Sequence, residues 1–137
     1  MPTPSGVLIS LACALGAVLA GGAAIWATHV AWPEPSALVK VAVSDPIAPL
    51  AQRIDPGFVL VGGQEHYDGV YYDAMALDPL AVGEAHGLID QAGYRYGRPM
   101  HGWLAGMLSL GQPTLVPEAL LALSLIGLGL AGWLAYV

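Results

Sequence analysis

Apolar residues dominate both ends of the chain, and charge is confined to its middle. Val7 to Ala31 contains no Asp, Glu, Lys or Arg, and Ala119 to Val137 is a second uncharged apolar run. The ten acidic and four basic side chains all fall between Glu34 and Glu118. As a helix rising about 1.5 Å per residue, the first run extends roughly 37 Å, enough to cross a hydrocarbon layer about 30 Å thick. The pattern predicts an α-helical membrane protein with two to three transmembrane helices. The first lies within residues 1–32 and the last at 118–137, with a short membrane helix or re-entrant segment at 99–111. Residues 33–98 then make an extramembrane loop, largely helical or irregular.

Inside that loop the pattern changes several times. Pro33 and Pro35 stop the first helix. Val39, Val41 and Val43 alternate with Lys40, Ala42 and Ser44, a strand signal. Tyr67, Tyr71, Ala74 and Met75 recur at i, i+4, i+7 and i+8, which predicts an amphipathic helix near 68–78, closed by Asp78-Pro79. Leu80 to Gly93 reads as a loop, in which His86 and Asp90 would share a face if the backbone were helical. Met100 to Leu110 is apolar but only 11 residues long, marginal for a span, and suits a re-entrant or interfacial helix as well. In the first run, Gly16, Gly21 and Gly22 make a small-residue face that suits close helix packing, or reflect ordinary membrane composition.

Composition sharpens this picture. A mean hydropathy of +0.64 leaves little polarity for a soluble surface, and only 10 % of residues are charged. The net charge of −6 argues against nucleic acid, whose phosphates need Lys/Arg clusters, and against a basic membrane-surface patch. The single cysteine, Cys13, excludes an intrachain disulfide. Met1 to Gly6 carries no Lys or Arg and the first run exceeds a signal-peptide core, so it reads as an uncleaved anchor rather than a cleaved signal. The apolar ending at Val137 reads as the front of a longer multi-spanning fold. Lys40, Arg53, Arg95 and Arg98 point the loop toward the cytoplasm, although so long a segment translocates largely regardless of charge.

The densest polar cluster is Glu65-His66-Tyr67-Asp68, followed by Tyr71, Tyr72 and Asp73. Glu65, His66 and Asp68 offer oxygen and nitrogen ligands suited to a divalent cation. Asp68 alone suits a general base or a sugar-hydroxyl anchor, whereas an Asp opening a helix is ordinarily an N-cap. Arg95 and Arg98, set among Tyr94 and Tyr96, suit a phosphate or pyrophosphate headgroup; snorkelling anchorage at the interface accounts for them equally. His29 and His101 sit at the edges of apolar segments, as interfacial imidazoles do.

The order Tyr67-Asp68-Gly69-Val70-Tyr71-Tyr72, Ala76-Leu77-Asp78-Pro79, Tyr94-Arg95-Tyr96-Gly97-Arg98-Pro99 and Leu108-Ser109-Leu110-Gly111 resembles the amino-terminal portion of bacterial GT-C-type membrane glycosyltransferases. It is most similar to the PIG-V-like mannosyltransferases and the actinobacterial membrane proteins near them. The resemblance covers about residues 62 to 137. It implies an enzyme of the bacterial plasma membrane, with the first large loop outside the cytoplasm and a polyprenyl-phosphate sugar as donor. Asp68 then maps onto the catalytic acidic residue. Tyr67, Tyr71, Arg95 and Arg98 map onto substrate binding, the arginines at the lipid-phosphate end. Members of that family have many more helices, so the isolated chain is expected to be inactive and to pack against other membrane helices. The alternative reading is a small non-catalytic membrane accessory protein; a secreted acidic domain ranks below both.

Overall fold

The computed structural model describes residues 4–31, 34–63 and 67–135, the side chains of 28–31 excepted. Their structure is mostly helical, with no strand among the described residues. Seven α-helices run in order: α1 (Pro4–Ala31), α2 (Ser36–Val39), α3 (Ala48–Ile54), α4 (Gly69–Leu77), α5 (Ala92–Arg95), α6 (Met100–Leu108) and α7 (Val116–Leu134). Short 3-10 turns cover Ala85–Leu88 and Pro113–Leu115. The chain divides into two compact units, one made of residues 1–31 and 122–137, the other of 32–121.

In the first unit, α1 packs on the later part of α7 with antiparallel register. A Cβ placed on Gly132 would lie 2.8 Å from the Cys13 carbonyl oxygen, one on Gly129 would lie 3.0 Å from Val18, and one on Gly21 would lie 2.7 Å from Leu128. Small residues at these points let the backbones approach. Gly16 and Gly22 meet nothing within 4 Å, so of the three glycines singled out in α1 only Gly21 serves the packing. Two stretches are long and apolar enough to cross a membrane, Pro4–Ala27 and Pro113–Leu134. Only 6 % of the first and 22 % of the second is buried, the opposite of a soluble protein's core helix.

The second unit is organised around α4. Val70, Tyr71, Asp73, Ala74, Met75 and Ala76 are all buried. The expected amphipathic helix is thus enclosed on nearly every side, by α2, α6 and the 3-10 turn at Ala85–Leu88. Two glycines of α6 make the main contact possible: Gly102 faces Met75 and the Tyr72 carbonyl, and Gly106 faces the Ala76 carbonyl. At the other end, Gly69 sits against the Val39 carbonyl at the close of α2. The expected strand through Val39, Val41 and Val43 is not formed. Val39 belongs to α2, and Lys40 caps that helix in the left-handed region at φ 59°. What remains is one parallel bridge, with the Val61 N–H donating to Val41 at 2.9 Å and the Val43 N–H to Val61 at 3.1 Å.

Asp78 closes α4 and shapes the turn beyond it. Its buried carboxylate accepts from the N–H groups of Val82 at 3.0 Å and Gly83 at 2.9 Å, and lies 3.1 Å from His86 Nδ1. Burial alone would raise its carboxyl, but the hydrogen bonds from Gly83, Val82 and His86 outweigh that and hold it below its usual value. Tyr96 and Trp103 brace the same turn by donating to the carbonyls of Asp78 (2.7 Å) and Pro79 (2.9 Å). Asp78→Ala strands the Val82 and Gly83 donors and is expected to cost about 2 kcal/mol. A depressed carboxyl stabilises the fold above its unfolded pKa of 3.8 and loses that contribution as pH falls through the lower folded value. Protection of the Val82 and Gly83 amides against exchange should therefore fall in the variant at neutral pH, and in the native protein only as pH drops below 3.8.

Candidate functional site

α4 places Asp68, Tyr71, Tyr72 and Met75 at i, i+3, i+4 and i+7, one stripe along its surface. α5 and the turn after it bring Tyr94, Arg95 and Arg98 against that stripe, and the two sets enclose a cleft of about 130 Å³. Residues 27 positions apart in sequence thereby meet: Arg95 Nη1 donates to Asp68 Oδ1 at 3.3 Å. Gln91 makes this possible. It opens α5 in the left-handed region at φ 47°, a strained conformation for a non-glycine residue, and carries the chain from Asp90 round to Arg95.

The guanidinium of Arg95 is held from several directions. It stacks on the Tyr71 ring, 3.7 Å from the ring centroid, and its Nη2 lies 3.7 Å from Asp90 Oδ2. Its Nε–H is buried and has no hydrogen-bond partner among the described residues, a cost of about 1–3 kcal/mol unless an acceptor enters the cleft. Tyr71 is buried too. Burial and its hydrogen bond to Asp90 push the phenol up to about 12, against the opposing charge of Arg95, so it stays protonated as a donor.

Arg98 differs from Arg95. It is exposed, faces the Tyr94 ring at 5.2 Å, and makes no ion pair with another described residue. Asp68 sits at the N-cap position of α4 but makes no side-chain capping bond. Its carboxylate is 70 % exposed and turns to Arg95 instead. The capping reading of Asp68 therefore does not hold.

Of the residues singled out from sequence, Asp68, Tyr71, Arg95 and Arg98 come together. Tyr67 does not line the cleft; its ring lies under the Lys40 ammonium, 4.0 Å from the centroid. Glu65 and His66, the other members of the cation cluster, lie outside the described residues. Among the described residues no group of three or more His, Cys, Asp or Glu is placed to hold a metal ion. His86 and Asp90 part company, His86 going to Asp78 and Asp90 to Tyr71 and Arg95. His101 packs edge-on against Tyr72, with ring centroids 4.9 Å apart. Tyr72, Met75 and Tyr94 were missed as lining residues, although the helical period from Asp68 reaches the first two.

The arrangement combines a solvent-reachable carboxylate, an exposed arginine, a fixed arginine and aromatic walls. It suits a ligand carrying both hydroxyls and a phosphate. No protein-family model, curated protein or solved structure matches the chain.

Proposed function

We propose that the chain is the amino-terminal part of an integral membrane glycosyltransferase of a bacterial plasma membrane, which moves a sugar from polyprenyl phosphate to an extracytoplasmic acceptor. The observation that carries this reading is the convergence of Asp68, Arg95 and Arg98 on one tyrosine-walled cleft. Membrane residence is supported by the exposure of large apolar side chains along the two long helices, among them Leu8, Leu15 and Leu19 on α1 and Leu130 and Leu134 on α7. In water such faces are costly; in lipid they are solvated.

In this reading Asp68 takes the proton of an acceptor hydroxyl as its oxygen forms the new bond to the sugar C1. The bond from C1 to the phosphate oxygen breaks, and the polyprenyl phosphate leaves with the electron pair. Arg98 faces the charge that develops on the leaving phosphate. Arg95 orients Asp68 and supplies its unpaired Nε–H to the same group.

The test uses the full-length protein in proteoliposomes with radiolabelled polyprenyl-phosphomannose. Asp68→Asn should lower transfer about a hundredfold, the usual scale for loss of a general base, with donor binding retained. Arg98→Ala should instead weaken binding of polyprenyl phosphate. Transfer at the native rate by Asp68→Asn would remove the catalytic assignment. Native binding and transfer by both variants would favour the non-catalytic accessory protein.

A further inference from the structure

We infer that α6 lies in the membrane–water interface, along the bilayer surface, with its outward face immersed in lipid. The inference rests on the membrane reading of the Pro113–Leu134 stretch. Two faces of α6 are used differently. Gly102, Ala105 and Gly106 form the inner face, closed against α4. Met100, Trp103, Leu104, Met107 and Leu108 recur at i, i+3, i+4, i+7 and i+8 and form the outer one, and all five are exposed, Met107 by 73 %. No Asp, Glu, Lys or Arg occurs in Met100–Leu108. The outer face is therefore a continuous apolar patch that nothing in the unit covers.

The chain itself indicates what covers it. Ser109 to Gln112 are the only residues between α6 and the candidate span beginning at Pro113. Four residues reach at most about 14 Å, so the end of α6 is held close to the start of that stretch. Leu110 and Gly111, at φ 54° and 71°, end the helix within that tether, and Leu110 is itself 82 % exposed. With nine residues α6 measures about 13.5 Å, less than half a hydrocarbon core, so it is too short to cross. Trp103 fits the depth. Its indole N–H is satisfied by the Pro79 carbonyl while its ring remains exposed, the divided polarity that places tryptophan at interfaces. Beside it lies a groove of about 480 Å³, bounded by Trp103, Met107 and Leu80.

The experiment labels single cysteines with an environment-sensitive fluorophore in a Cys13→Ser background. The protein is reconstituted in phosphatidylcholine–phosphatidylglycerol vesicles carrying doxyl quenchers, either near the headgroup or at the chain end. Met107→Cys reports on α6, Ile126→Cys on the span and Glu84→Cys on the loop; all three native side chains are exposed. The label at 107 is expected to shift to the blue and to be quenched about twice as strongly by the shallow doxyl as by the deep one, the pattern of burial by about 5–10 Å. The label at 126 should favour the deep quencher, and that at 84 should respond to neither. Quenching at 126 without quenching at 107 overturns the inference and leaves the membrane reading standing. A blue shift at 107 without doxyl quenching means that protein covers the face, a partner or a second copy, and overturns it equally. No quenching at 126 removes the membrane reading and the inference together.

Discussion

Gly102→Val is expected to separate α6 from α4 and to destabilise the second unit by about 3 kcal/mol or more. A Cβ at this position would lie 2.7 Å from Met75 Cβ, 2.8 Å from the Tyr72 carbonyl oxygen and 3.3 Å from the Ala76 nitrogen. None of these atoms can move alone. Two belong to the α4 backbone, and the third is fixed to it in a side chain that is 1 % exposed. Relief comes only by shifting one helix off the other, and Gly106, whose Cβ would stand 2.9 Å from the Ala76 carbonyl oxygen, shows that the approach is close one turn further along as well. The better helix propensity of a non-glycine residue returns under about 1 kcal/mol, too little to compensate. Because Tyr72 lies on this contact and also lines the cleft, the site should loosen with the core. Gly93→Ala is the control: nothing lies within 4 Å of its Cβ position, and its melting point should stay level or rise slightly. An unchanged melting point for Gly102→Val would mean that α4 and α6 do not meet through this glycine.

The parts of the fold that depend on local pattern were legible. The uncharged run from Val7 marks α1, and Asp78-Pro79 marks the end of α4 at Leu77. What escaped depends on neighbours distant in sequence. The polar positions of α4 suggested a wet face, but α2, α6 and the turn at Ala85–Leu88 cover it. Gly102 and Gly106 stand four apart in plain view, yet their meaning requires knowing which backbone faces them. The valine alternation at 39, 41 and 43 failed because Lys40 adopts a left-handed conformation that its residue type does not announce.

The site divides along the same line. Asp68, Tyr71, Arg95 and Arg98 stood out by residue type and setting, and all four line the cleft. Tyr67 lies two residues before α4 begins at Gly69, and its ring meets the Lys40 ammonium rather than the cleft. His86 and Asp90 misled because the 3-10 turn ends at Leu88, so a four-residue spacing does not align them. The pairing of Asp68 with Arg95 turns on Gln91, and glutamine is not a residue that signals a left-handed turn. Nor does sequence distinguish the fixed Arg95 from the exposed Arg98.

Asp73→Asn is expected to stabilise the protein at alkaline pH while leaving it unchanged in acid. Asp73 lies in the middle of α4, 2 % exposed, and burial pushes its carboxyl from 3.8 up to about 7. Desolvation is the whole cause, so the ionised form is what the interior disfavours. The folded state holds the proton more tightly than the unfolded chain. The neutral carboxyl thus contributes its full stability below about pH 4, loses it progressively as pH rises toward 7, and beyond that the loss levels off. A shift of about three units corresponds to something on the order of 4 kcal/mol between the two ends of that range. Asparagine keeps the shape and a carbonyl oxygen but has no proton to lose, so its stability should not follow this curve. Denaturant titrations of both proteins in the same detergent at pH 4, 6 and 8 read the difference directly. The two should nearly coincide at the lowest pH and diverge upward, with Asn the more stable. The consequence reaches the cleft, because Asp73 belongs to the same helix as its lining residues Tyr72 and Met75. Parallel curves across the range would show that Asp73 is hydrated in the folded protein, and that α4 is not the enclosed helix on which the cleft is built.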